Sequence, residues 1–184
     1  MASVAKFDQW LTTSGIAINT PIQIATKTVT GRSTTTATTF TTLTDGTTPL
    51  SIFFTPRYAN SLILIEWMIS GVKDQTDLVG WIAPFRDANS LYTNTSTGAD
   101  GSTYYYGQVW KQSYGTGGAA DTNVLNTHVG MWTDTAGNTS TREYSMKMKN
   151  RGGTFYFNRT EGEAASQAYS QRGVSMMKVT EIAQ

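Results

Sequence analysis

The stretch Arg142-Glu143-Tyr144-Ser145-Met146-Lys147-Met148-Lys149 decides the fold class. Tyr144, Met146 and Met148 alternate with Ser145, Lys147 and Lys149, and only an extended strand turns that period of two into one buried and one wet face. The same grammar continues outward on both sides. Asn150 to Gly153 reads as a turn, Thr154 to Asn158 as a strand and Val174 to Ile182 as the last strand. On the other side, Asp134 to Asn138 reads as a turn and Val124 to Thr133 as a strand. Earlier come Ile22 to Val29, the Thr-rich run Thr34 to Leu43, the Asp45-Gly46 turn and Leu50 to Thr55, halted by Pro56. Leu78 to Phe85 follows, with a turn at Arg86-Asp87-Ala88-Asn89 leading into Ser90 to Tyr92. Short strands at close spacing, with Gly, Asn and Asp at the turns, predict an all-β fold: an antiparallel jelly-roll sandwich of about eight to ten strands over residues 22–184.

Leu62 to Gly71 breaks the alternation. Leu62, Ile63, Leu64, Ile65, Trp67, Met68 and Ile69 leave only Glu66 as a charge within the apolar run. A strand apolar on both faces needs cover on both; the core is one cover, and a neighbouring subunit is a candidate for the second. Whether Glu66 is buried, paired or at a rim stays open at this level.

Residues 1–21 read differently. Val4, Phe7, Trp10 and Leu11 recur at offsets of three and four, the stripe of a short amphipathic helix with Ser3 as N-cap and Gly15 past its end. A helix this short is marginal alone, so it either folds back on its own domain or anchors in a partner.

Composition narrows the function. Charged residues make up only 15% of the 184, and hydrophobic residues 39%; the deficit of charge against an average of roughly 25% is filled by hydroxyls, amides and glycine. Net charge is +1, from 14 basic and 13 acidic residues, with no basic run, so no nucleic-acid or anionic-membrane partner is expected. Cysteine is absent, which excludes disulfides and thiolate chemistry and fits assembly in a reducing cytoplasm. Met1 to Trp10 lacks the apolar stretch of a signal peptide, and no apolar run approaches a membrane span.

Several segments, taken in order, resemble one family. They are Phe53-Phe54-Thr55-Pro56 followed by Asn60-Ser61-Leu62-Ile63-Leu64-Ile65, then Phe85-Arg86-Asp87, then Met131-Trp132-Thr133-Asp134 with Tyr144 to Met148. Gly153-Thr154-Phe155-Tyr156-Phe157-Asn158-Arg159-Thr160 and the close at Gly173-Val174-Ser175-Met176 to Glu181-Ile182-Ala183 complete the set. The pattern is similar to jelly-roll virion surface proteins of tailed bacteriophages of marine and cyanobacterial type: head decoration or cement proteins, head fibres and tail-fibre tips. The resemblance runs from about Thr30 to Ala183 and departs from the family in the N-terminal arm and the Tyr/Gly-rich insert. It implies a homotrimer in the virion, assembled in the host bacterial cytoplasm and bound to other virion proteins, either the major capsid protein or tail components. A trimer would supply the second cover for Leu62 to Gly71, with Ile63, Ile65, Trp67 and Ile69 as the expected interface.

Two further residue sets are candidate contacts. The arm residues Val4, Phe7, Trp10 and Leu11 are expected to bind the shell. Tyr92, Tyr104, Tyr105, Tyr106, Trp110 and Tyr114, set among Gly, Ser and Asn, have the composition of adaptable binding loops and could stack on host surface glycan; equally, Tyr104 to Val109 reads as an ordinary strand with tyrosines inside. Catalysis is not expected. His128 is the only histidine, no nucleophile elbow or phosphate loop occurs, and the carboxylate pairs Asp74/Asp77 and Glu161/Glu163 read as solvated loop residues. No cofactor and no metal site is expected. The sequence carries no heptad run or repeat of the kind a fibre shaft uses, which favours a decorating knob over a receptor-binding tail-fibre tip.

Overall fold

The computed structural model describes residues 21–73, 80–92, 95–97, 103–105, 108–110, 125–160 and 171–184, and every regular element among them is a β-strand. The chain is an all-β antiparallel sandwich of jelly-roll class. In the first sheet, β1 (Pro21–Val29) pairs with β14 (Ser175–Ile182), β14 with β5 (Leu62–Lys73), and β11 (Asn126–Thr135) takes the far side of β5. Beside the last residues of β5 lies β13 (Phe155–Phe157), which pairs in turn with β2 (Ser33–Thr35).

The second sheet centres on β12 (Arg142–Asn150). One side of it holds β6 (Gly80–Arg86); along the other run β4 (Ser51–Phe54) and β3 (Thr41–Thr42). β6 also receives β10 (Gln108–Trp110) and its own hairpin partner β7 (Asn89–Ser90). β8 (Thr95–Thr97) and β9 (Thr103–Tyr105) form a separate pair. The described strands number fourteen, above the eight to ten expected, because seven of them have only two or three residues. Residues 1–20, and with them the expected arm helix, lie outside the described residues.

Strand parity builds the core. Tyr144, Met146 and Met148 of β12 point inward and are wholly buried, as their alternation predicts. They meet Val179 and Met177 of β14, Phe155 and Phe157 of β13, and the inward residues of β5 in one cluster. Burying one such side chain contributes about 1.5–3 kcal/mol. The outward partners differ from expectation at one point. Ser145 is buried, lying in a central strand between Phe85 and Ser51. Lys147 and Lys149 do stay at the surface, with the Lys147 ammonium 4.6 Å from the Phe85 ring centre and the Lys149 ammonium 4.9 Å from that of Trp81.

The Thr-rich run also differs from expectation. Instead of one strand it makes β2 in the first sheet and β3 in the second, with a bend at 38–39 between them. Threonine suits either face of a sheet, so its repetition specifies no register. The apolar residues decide: Leu43 enters the core, while Phe40 packs against Phe85 with ring centres 5.2 Å apart.

The corners are held by polar side chains. Asp45 Oδ1 accepts from the amides of Thr47 and Thr48 at 2.9 and 2.6 Å, closing the Asp45-Gly46 turn, and these bonds hold its carboxyl below the usual value. Asn158, in the left-handed region at φ 56°, donates to the carbonyls of Val29 and Gly31, each at 2.9 Å. Its Oδ1 accepts from the Ser175 hydroxyl at 2.6 Å, so one side chain ties the end of β13 to β14 and to the residues at and just after the end of β1. Glu181, fully buried, accepts from the amides of Arg57 and Tyr58 and from Gln23 Nε2 at 2.6–3.0 Å, joining β1, β14 and the loop after β4.

Candidate interaction surface

Which face of β5 meets the core is settled by register. Ile63, Ile65, Trp67 and Ile69, expected at a trimer interface, are 0–2% exposed and pack inside the sandwich of a single chain. That expectation is corrected. Both faces of this strand are apolar, so its sequence offers no sign of which one turns in; the cross-strand partners Glu181, Val179 and Met177 of β14 supply it.

The outward face belongs to Leu64, Glu66 and Met68, and it continues across three neighbouring strands in register. One row runs Ile24, Thr180, Leu64, Thr133; the next Thr26, Lys178, Glu66, Met131; the third Thr28, Met176, Met68, Val129. Val129 is 69% exposed, Met131 63%, Ile24 60% and Met176 38%. Glu66 is paired: Lys178 Nζ lies 2.5 Å from its Oε2, with about a third of each side chain exposed. The ion pair sits at the middle of the face, beside a shallow apolar groove lined by Met68, Val129, Met131 and Met176. An exposed apolar surface of several long side chains around a single ion pair is the composition of a protein contact, and methionine adapts its shape to a partner.

Val129, Met131 and Met176 were not singled out by sequence. The usable signal was the alternation of Thr127, Val129, Met131 and Thr133 with His128, Gly130, Trp132 and Asp134. In this edge strand the aliphatic side chains Val129 and Met131 point outward with Thr127 and Thr133, while His128, Trp132 and Asp134 lie on the opposite face. His128 faces inward opposite Ile69, half-buried, and burial pushes its imidazole below the ordinary value.

The aromatic set divides. Tyr92 packs against the core and stacks edge-on against Trp132, with ring centres 4.7 Å apart; burial pushes its phenol up. Tyr104 and Tyr105 lie in β9, opposite Ser96 and Thr95 of β8, and Trp110 lies in β10 opposite Gly80. Tyr106 and Tyr114 fall outside the described residues, as do Val4, Phe7, Trp10 and Leu11 of the arm and Asp74, Asp77, Glu161 and Glu163. The run Tyr104 to Val109 is thus neither one strand nor one loop: its described residues belong to two short strands in different sheets.

A second surface feature lies where the β6–β7 and β11–β12 turns meet. Arg86 Nη1 lies 3.0 Å from both carboxylate oxygens of Asp134, which also accepts from the Tyr144 hydroxyl at 2.8 Å. Arg142 is wrapped by the 136–140 turn: its nitrogens donate to the carbonyls of Ala136, Ser140 and Asn138 and to Asn138 Oδ1. Between the two turns opens a polar cleft of about 370 Å³. Among the described residues, no cluster of three or more His, Asp or Glu is arranged to hold a metal ion.

No protein-family model matches the chain, and no curated protein matches it. Among solved structures, it is similar to a chain in the structure of infectious bursal disease virus, Gx strain, at a TM-score of 0.31 and 9% identity. The match covers 100% of this chain and 45% of that one, so this chain spans less than half of its neighbour's length. A likeness that loose assigns no role.

Proposed function

We propose that the chain is a structural protein of a tailed-phage virion: a jelly-roll knob that assembles as a homotrimer on the capsid exterior and binds and stabilises the shell. It works by binding, without catalysis. The observation that carries the reading is the outward face of the first sheet. Val129, Met131, Met68 and Met176 form an apolar surface that nothing among the described residues covers, and covering it against identical copies contributes about 1.5–3 kcal/mol per fully buried side chain. The segment-by-segment resemblance to phage surface proteins supplies the trimer and the particle. In this reading Val4, Phe7, Trp10 and Leu11 anchor the knob to the shell, and three linked arms multiply a modest single affinity.

The test is the mass of the purified full-length chain by sedimentation equilibrium. A trimer that Val129→Lys with Met131→Lys converts to monomers that still unfold in one cooperative thermal transition supports the assignment. A wild-type chain that stays monomeric at high concentration overturns it. Quantitative electrophoresis of particles then separates decoration from the alternative, a tail-fibre tip recognising host surface glycan: decoration demands copies distributed over the whole shell, whereas a fibre tip demands a few at the tail.

A further inference from the structure

The polar cleft between the β6–β7 and β11–β12 turns has features of a ligand site. Its walls are fixed before any ligand arrives. Asp87, at φ 55°, is locked by its amide on the Glu143 carbonyl at 2.7 Å and by Glu143 N–H on its Oδ1 at 2.9 Å. The facing turn is held around the Arg142 guanidinium, with Gly137 at φ 71°. The polar groups left over are specific. Arg86 uses only Nη1 toward Asp134 and Thr135, so its Nε and Nη2 are uncommitted among the described residues. Asp87 Oδ2, the Asn89 amide, Asn138 Nδ2 and the Ser140 hydroxyl likewise make no hydrogen bond there, and all of these residues line the cleft.

The charges define the ligand's class. Arg86 is already neutralised by Asp134, the donors of Arg142 are taken by its own turn, and Asp87 adds a carboxylate. An anion gains little from such a site. Apolar ligands gain little either, since polar atoms dominate the lining. What remains is a neutral molecule whose groups both donate and accept, at closely spaced positions. Planar amide, carboxylate and guanidinium groups bridge adjacent hydroxyls in pairs, and the cleft offers all three. We propose that it binds a neutral saccharide. The inference goes beyond the shell-binding reading and needs neither the trimer nor the arm.

The test is amide-resolved NMR titration of the full-length protein with glucose, galactose, mannose, rhamnose, N-acetylglucosamine and N-acetylgalactosamine, and with acetate as the anion control. Saturable shifts confined to residues 86–89 and 136–142 with at least one sugar, at millimolar affinity or tighter, are expected. Asn89→Ala removes an exposed side chain that no bond within the fold uses, so the protein stays folded and the affinity should fall about three- to tenfold. The proposal is overturned if none of the six sugars shifts these amides, if acetate shifts them equally, or if Asn89→Ala binds the sugar as the wild type does.

Discussion

Tyr144 donates its hydroxyl to Asp134 Oδ2 at 2.8 Å, linking the centre strand of the second sheet to the edge strand of the first. Since the Arg86 guanidinium reaches the same carboxylate, three strands converge on one acidic group. The tyrosine is otherwise enclosed by the core, and its ring lies edge-on to Phe54 at 6.4 Å.

Burial, reinforced by the bond to Asp134, pushes the Tyr144 phenol well above its ordinary value of 10.0. The neutral form is therefore the one that folding favours. Its contribution to stability is complete below about pH 10 and is lost as pH rises toward the folded value. Tyr144→Phe should lower stability near neutral pH by about 1–3 kcal/mol, because Asp134 loses a donor, and should flatten the alkaline decline. Urea unfolding from pH 7 to pH 11 reads both effects; an unchanged alkaline slope would show that another group governs it.

His128 gives the opposite sign. Burial lowers its imidazole below 6.5, so the neutral form is favoured inside. That contribution is complete above about pH 6.5 and is lost as pH falls through the folded value. Being the chain's one histidine, its ring protons can be followed alone, and their NMR titration midpoint should lie below that of a histidine in unfolded peptide.

The Asn158 corner separates side-chain from backbone effects. Asn158→Ala removes two donated bonds and one accepted bond and keeps a β-carbon at φ 56° without the side-chain bonds that hold it there, for a loss of about 2–4 kcal/mol. Asn158→Gly loses the same bonds but tolerates the backbone, and should be the milder change by about 1 kcal/mol. Equal unfolding midpoints for the two variants would mean that the left-handed backbone costs nothing here.

Gly71 is required by close packing. A β-carbon there would lie 2.4 Å from Phe155 Cζ and 2.6 Å from the Tyr156 carbonyl oxygen. Gly71→Ala should destabilise by about 1–3 kcal/mol. Adding Phe155→Leu should recover little in calorimetry, because the backbone carbonyl still blocks the site. Full recovery would identify the ring as the sole obstacle.

Much of this molecule is legible in its residues. Alternation at Tyr144 to Lys149, the stop at Pro56 and the turns at Asp45-Gly46 and Arg86 to Asn89 determine strands, boundaries and class through purely local chemistry. Orientation is another matter. Leu62 to Gly71 is greasy on both sides, so nothing in it says whether Ile65 or Leu64 turns inward; pairing with β14 decides, and moves the exposed face to Leu64, Glu66 and Met68. Threonines 34 to 42 fit either sheet, and only the burial of Leu43 and the stacking of Phe40 divide them. The Met131–Val129 surface and the cleft at Arg86 combine residues far apart in the chain, and register and turn geometry are what bring them together. Local pattern determines what each strand is; long-range packing determines which way it faces and what it faces.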